Sequence, residues 1–390
     1  MANEPHDKTP DIAFVNEMRL EARHWLAVIA IVVPMLALTP WLWKKVERFK
    51  TGPDYRIPYA LSSDYFLYQR RLQSVAESNI CVLGDSVVWG EYVRPEGTLT
   101  HFLNQQSGVS GRFVNGGVNG LFPLAMEGLV RSYGRALRRE KIILHCNLLW
   151  MTSPKADLSA TKEEQFNHAR LVPQFTVPLR CYRADFNERL NALAERNVPF
   201  FGWVSHLQDA YFAQKSIPKW TLEDEGDDGA KASNSYRNPL SQITMVVPAE
   251  PEMDPQRGPQ SPRHRSWSTN ATGTTVFEWV PLEKSLQWQA FQRTVSLLRD
   301  RQDDVFVVVG PFNEHLMAPA NRPVYHLIRD QIGAWLTQRQ ISHVLPDTLP
   351  SLLYADASHP LTAGYEQMAA KLYGNSEFQT WLKRSRSPSR

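Results

Sequence analysis

The sequence predicts an α/β fold, a three-layer α/β/α arrangement around a mostly parallel five-stranded sheet. Five short apolar runs supply the strands, segments of helical periodicity separate most of them, and the first run ends in Gly-Asp-Ser, as a buried parallel strand entering a loop does. The strands are expected at Ile80 to Leu83, Arg112 to Asn115, Lys141 to Trp150, Val305 to Gly310 and Ile341 to Leu345. Helices are expected near 97–107, 121–139, 282–301 and 323–339, with a last one from Thr362 to about Leu382.

The chain has 390 residues, 43% hydrophobic and 21% charged, a balance that fits one sizeable soluble core plus an appendage. Lys plus Arg (43) nearly offsets Asp plus Glu (40), so a net +3 gives no broad field for nucleic acid. The three cysteines, Cys81, Cys146 and Cys181, form neither a disulfide framework nor a metal-ligand spacing. Cys81 and Cys146 read as apolar fillers of strands.

The appendage is the run Trp25 to Trp43, WLAVIAIVVPMLALTPWLW, uncharged and about as long as a membrane-spanning helix requires. Trp25 at one end and Trp41 with Trp43 at the other suit the two interfaces, and Pro34 and Pro40 are tolerable at the cost of a kink. The competing readings are a cleaved signal peptide and a buried helix of a soluble protein. Three basic residues precede the run (Lys8, Arg19, Arg23) and five follow it (Lys44, Lys45, Arg48, Lys50, Arg56), a small difference that leans toward a cytoplasmic domain without deciding the side.

Residues 1–24 read as a tail and 44–75 as a connecting stalk, broken by Gly52-Pro53 and Pro58, with a short helix from Tyr65 to Ser74. The core occupies 76–155 and 282–383, interrupted by an insertion over 156–281. The insertion starts with a helical stretch from Cys181 to Arg196 and the apolar run Val198 to Val204. From 222 to 275 it turns rich in Asp, Gly, Ser, Pro and Arg and is expected to be disordered or a mobile loop. Residues 384–390, RSRSPSR, form a basic tail.

Four blocks can carry chemistry. Ser86, in Gly84-Asp85-Ser86-Val87-Val88-Trp89-Gly90, lies at the carboxyl end of the first strand, where open α/β sheets bind ligands. A serine nucleophile needs a base, and the base a partner that fixes its tautomer. Asp356 and His359, three apart in one loop, can supply both. Between these blocks, Asn115-Gly116-Gly117-Val118-Asn119-Gly120 offers glycine N–H groups that can approach a substrate oxygen, and Asn147 places a lone amide in an apolar run. The N–H groups of Ser86 and Gly117 with the Asn147 amide would form a three-donor oxyanion hole. Asn313, Glu314 and His315, following the fourth strand, are candidate substrate-contacting residues. His and Glu side by side have no metal-ligand spacing.

The ordered set Gly-Asp-Ser, Asn-x-Gly, Asn and Asp-x-x-His resembles the SGNH (GDSL) hydrolase family over roughly residues 78–150 and 300–375. The match extends to Gly90 and to His359-Pro360 through Gly364-Tyr365. The third block departs from the family's Gly-x-Asn-Asp, reading His145-Cys146-Asn147-Leu148. The resemblance implies a flavodoxin-like sheet, Ser86 as nucleophile, His359 as base, Asp356 as its orienting acid, Gly117 and Asn147 as oxyanion donors, and no metal or organic cofactor. It further implies an ester hydrolase or O-acyltransferase acting on acylated, in particular acetylated, cell-envelope carbohydrate. Such a protein would lie on the extracytoplasmic (periplasmic) side, beside a multi-span membrane acyltransferase. The alternative from another class is a non-catalytic carbohydrate-binding or scaffold module, which would need none of Ser86, Asp356 and His359.

Overall fold

The computed structural model describes residues 21–49, 52–75, 79–172, 174–175, 179–222, 237–248, 265–270 and 273–384. The chain opens with α1 (Ala22–Val46) and α2 (Tyr65–Gln73), then enters the sheet through β1 (Ile80–Gly84), α3 (Ser86–Trp89), α4 (Leu99–Ser107), β2 (Phe113–Gly117), α5 (Pro123–Ser132) and β3 (Lys141–Cys146). The insertion contributes α6 (Phe186–Asn197), α7 (Pro199–Tyr211), α8 (Ile217–Leu222) and α9 (Trp267–Asn270). The sheet resumes with α10 (Leu286–Asp300), β4 (Asp304–Val309), α11 (Arg322–Gln338) and β5 (Ser342–Val344), and the chain closes with α12 (Thr362–Tyr373) and α13 (Ser376–Lys383).

All five strands are parallel, in the order β2-β1-β3-β4-β5. The order reverses at β1, so the carboxyl ends of β1 and β3 flank the crevice where such sheets bind ligands. Period-two alternation divides the strand residues between two cores. Cys81, Leu83, Ile142, Leu144, Val305 and Val307 join one cluster, with residues of α5, α10 and α11. Ile80, Val82, Ile143, Phe306 and Val308 join the other, with residues of α4, α12 and α13. This is why the strands read as continuous apolar runs.

Several sequence expectations change. The third apolar run ends its strand at Cys146, because the Asn147 side chain accepts from Leu149 N (3.0 Å) and turns Leu148–Met151 into a 3-10 helix. The expected last helix is two, divided at Gly374 and Asn375, where the Asn375 side chain caps α13 through Phe378 N at 2.9 Å. The apolar run Val198 to Val204 opens a helix.

The expected stalk is part of the domain. Ile57, Leu61, Tyr65, Leu67, Tyr68 and Leu72 are buried in the larger core, because α2 carries apolar side chains around most of its circumference and can be stable only when enclosed. The insertion is likewise docked. Asp157 accepts from Leu286 N and Gln287 N, both at 3.1 Å, and so caps α10. Within the stretch expected as a mobile loop, Val247 N donates to Arg48 O at 3.1 Å and Trp267 N to Tyr354 O at 2.8 Å, so these parts pair with the core; residues 223–236, 249–264 and 271–272 of it lie outside the described residues. The basic tail 385–390 and the N-terminal 1–20 do so too.

The helix α1 is long and apolar enough to cross a membrane. Its most apolar 18-residue window has a mean hydropathy of 2.1 and is only 6% buried.

Candidate active site

Ser86 is the first residue of α3, directly after β1, and the turn between strand and helix is set by Asp85. That carboxylate caps α3, accepting from Val87 N at 3.0 Å. Gly90 ends α3 at φ 88°, a left-handed conformation that glycine adopts without strain. A helix this short keeps its place only if held from outside. Tyr365 of α12 donates to Val87 O at 2.7 Å, and Arg56 donates to Trp89 O at 3.0 Å while its guanidinium lies 3.9 Å over the Trp89 ring.

The loop before α12 brings His359 to Ser86 across 273 residues of chain, with Nε2 2.8 Å from Ser86 Oγ. Asp356 lies 2.8 Å from His359 Nδ1 and also accepts from the backbone N–H groups of Ser358 and His359, each at 2.9 Å. Burial disfavours the imidazolium of His359, yet Asp356 and, at longer range, Glu91 and Asp85 outweigh it and raise the pKa to about 9. Burial likewise opposes ionisation of Asp356, and His359 outweighs it, holding that carboxyl down to about 2. Glu91 Oε2 lies 3.6 Å from Nε2, and the Tyr92 ring meets the imidazole edge-on at 5.1 Å between centroids. The three residues singled out for nucleophile, base and acid thus form one hydrogen-bonded chain.

The candidate oxyanion donors are arranged differently from expectation. Gly117 N–H is spent on Asn115 Oδ1 at 2.9 Å, so it is not free to hold a substrate oxygen. Gly117 is needed for packing: an added Cβ would sit 2.4 Å from Trp89 N, where β2 passes α3. Three residues on, Gly120 takes φ 71° and its N–H has no partner among the described residues, as is true of Ser86 N–H. Asn147 is fully enclosed at the end of β3. Its amide donates to Asp85 Oδ2 at 2.8 Å, and its second hydrogen has only a long 3.4 Å contact with Ser358 Oγ. Two nitrogens therefore stay open, and a third is weakly held.

Asp85 and Trp150 are the residues that sequence reasoning left without a role. The Asp85 carboxylate receives Asn147 Nδ2, Trp150 Nε1 (2.9 Å) and Val87 N, and His145 Nδ1 lies 3.6 Å away. Burial would raise its pKa, but these partners, His145 foremost, hold it below the ordinary value. The signal for Asp85 was its place beside Ser86, where an Asx cap is expected. Trp150 gave none.

Asn313, Glu314 and His315 are placed as braces. Asn313 is enclosed behind the triad loop and donates through Nδ2 to Asp356 O at 3.0 Å, while its N–H donates to Ala357 O at 2.8 Å. Glu314 accepts from Thr348 and pairs with His326 at 3.1 Å, and His315 Nε2 donates to Leu349 O at 3.1 Å. Their side chains are thus committed to the protein, which accounts for polar residues in that loop. Among the described residues no group of three or more His, Cys, Asp or Glu side chains could hold a metal ion.

Replacing Asn147 by alanine tests its place in this arrangement. If the amide holds the oxyanion, the change costs about 100- to 1000-fold in turnover; it also strips a buried partner from Asp85, a loss of about 1–3 kcal/mol of stability. Turnover of an aryl acetate per folded molecule, measured below both melting temperatures, separates the two. Normal turnover with a lowered melting temperature would leave Asn147 a structural role alone.

No protein-family model and no curated protein sequence matches the chain.

Proposed function

We propose that this protein is a membrane-anchored serine ester hydrolase or O-acyltransferase of SGNH type, with a three-layer α/β/α domain that acts on acylated cell-envelope carbohydrate. The observation that carries the reading is the continuous chain Ser86 Oγ, His359 Nε2, His359 Nδ1, Asp356 carboxylate, each link 2.8 Å. In the first step Ser86 Oγ bonds to the ester carbonyl carbon and its proton passes to His359 Nε2. The oxyanion is met by the N–H groups of Ser86 and Gly120 and by the Asn147 hydrogen that leaves Ser358. Collapse breaks the bond to the leaving alkoxide, which takes the proton from His359. Water or an acceptor hydroxyl then attacks the acyl-serine by the same steps reversed, giving hydrolysis or transfer.

The substrate class and the extracytoplasmic side rest on the resemblance to SGNH proteins, together with α1 as the anchor; a multi-span acyltransferase is the partner this implies. Incubating the full-length protein with isotope-labelled acetylated glycans tests the class. Release of labelled acetate, or its appearance on a second glycan, supports the reading, and neither product over a panel of glycan acetates would overturn the carbohydrate assignment.

The pH profile has a definite sign. Only neutral His359 can accept the Ser86 proton, and Asp356 and Glu91 favour the charged form. The acid limb of kcat/KM should therefore lie above the ordinary imidazole pKa of about 6.5, with activity rising as pH rises through it. Glu91→Gln removes one of the favouring charges and should move that limb to lower pH. A limb at or below the ordinary value in the parent protein contradicts the assignment of His359 as base.

A further inference from the structure

The apolar run of α1 reaches Trp43, yet one face of its last turns is covered. Pro40 is buried, and Leu36, Thr39, Trp43 and Lys44 are partly covered, a stripe at helical spacing, while Trp41 and Leu42 stay exposed. The helix α7 of the insertion packs against α1. Its register is fixed by a buried polar cluster in which His206 bridges Glu47 Oε1 at 2.8 Å and Asp64 Oδ2 at 2.6 Å, with Arg70 also on Glu47 and the Tyr211 hydroxyl donating to it. Two aromatic contacts complete the register, Trp43 with Trp203 at 5.6 Å and with Tyr211 at 6.2 Å. On α7, His206 and Tyr211 meet Glu47, whereas Trp203, three and eight residues nearer the start of α7, meets Trp43, which Tyr211 also reaches. The first turn of α7 therefore points along α1 in the direction of its apolar run.

That turn is suited to lipid. Residues 198–204, Val-Pro-Phe-Phe-Gly-Trp-Val, carry no charge, and Phe201 is 46% exposed. Pro199 has no N–H to solvate, and Phe201 N donates to Val198 O at 3.1 Å, so fewer backbone donors are left open than at an ordinary helix start. An exposed Phe201 next to the half-buried Phe200, beside the Trp-rich end of a span, has the composition of an interfacial element.

We infer that the corner between α6 and α7, residues 198–204, is seated in the same bilayer that α1 crosses, with Phe201 in contact with lipid. The inference rests on α1 being a membrane span. Its consequence is a catalytic domain fixed to the membrane surface at two points.

The test uses the full-length chain in phosphatidylcholine vesicles with one nitroxide label at a time, on Phe201→Cys, on Val32→Cys in mid-α1, and on Val109→Cys after α4; the native cysteines are all buried. Power-saturation EPR compares collisions with oxygen, which concentrates in lipid, and with a water-soluble nickel chelate. The oxygen-to-nickel ratio at Phe201 should fall between those at Val32 and Val109 and exceed that at Val109 several-fold. A lipid-like Val32 with a water-like Phe201 overturns this inference alone. A water-like Val32 overturns the anchor and the inference together. Shielding of Phe201 from both reagents with spin–spin broadening would put a second copy of the chain on the corner, and would also overturn it.

Discussion

Replacing Ser86 by alanine should abolish labelling by a fluorophosphonate probe and cut turnover of an aryl acetate by on the order of 10⁶-fold, the loss seen when a serine nucleophile is removed from an assembled triad. The fold should survive. The one side-chain hydrogen bond of Ser86 among the described residues is to His359, whereas the bonds that hold α3 come from Asp85, Arg56 and Tyr365. A melting temperature close to that of the parent, with labelling and turnover gone, is the expected pair of results. A parent protein that resists the probe while folded would sink the hydrolase proposal.

Asp356→Asn should lower kcat by about 10⁴-fold with little change in KM. The carboxylate accepts three N–H groups: His359 Nδ1–H and the backbone N–H groups of Ser358 and His359. An amide in its place can satisfy the backbone groups with its oxygen, but it turns a donor toward Nδ1. His359 would then carry its proton on Nε2, where it cannot accept the one on Ser86. Because the favouring charge of Asp356 is also lost, the pKa of His359 should fall, which NMR of the imidazole would read directly. An Asp356→Asn protein with the parent's rate would remove Asp356 from the mechanism.

Much of this arrangement could be read from local pattern. Strands of three to six residues and the longer flanking helices, of eight to seventeen, leave periodicities that survive any packing, so the strands appear within a few residues of where the sequence puts them. Asp356 and His359 lie three apart in one loop, a spacing short enough for the backbone itself to hold the pair. The apolar helix at the N-terminus is likewise a property of composition. Where the sequence misled, the cause was non-local. The breakers Gly52, Pro53 and Pro58 look like a linker, but Ile57 and Leu61 beside them are enclosed by partners far away in the chain, among them Trp89, whose indole donates to Ile57 O at 2.7 Å.

The sequence by itself determined the five sheet strands and most of the helices between them, their parallel α/β class, and the candidate nucleophile, acid and base. Only the tertiary structure decided which groups are free to react. Parallel register sets Gly117 against Gly84 and turns its N–H to Asn115, leaving Gly120 open instead. It also drew Asn147 and Trp150 onto Asp85 and put Asn313 behind Asp356. The physical reason is that a polar group's availability depends on whether its hydrogen-bonding capacity is already used, and in a buried site the partners that use it come from strands and loops tens to hundreds of residues apart.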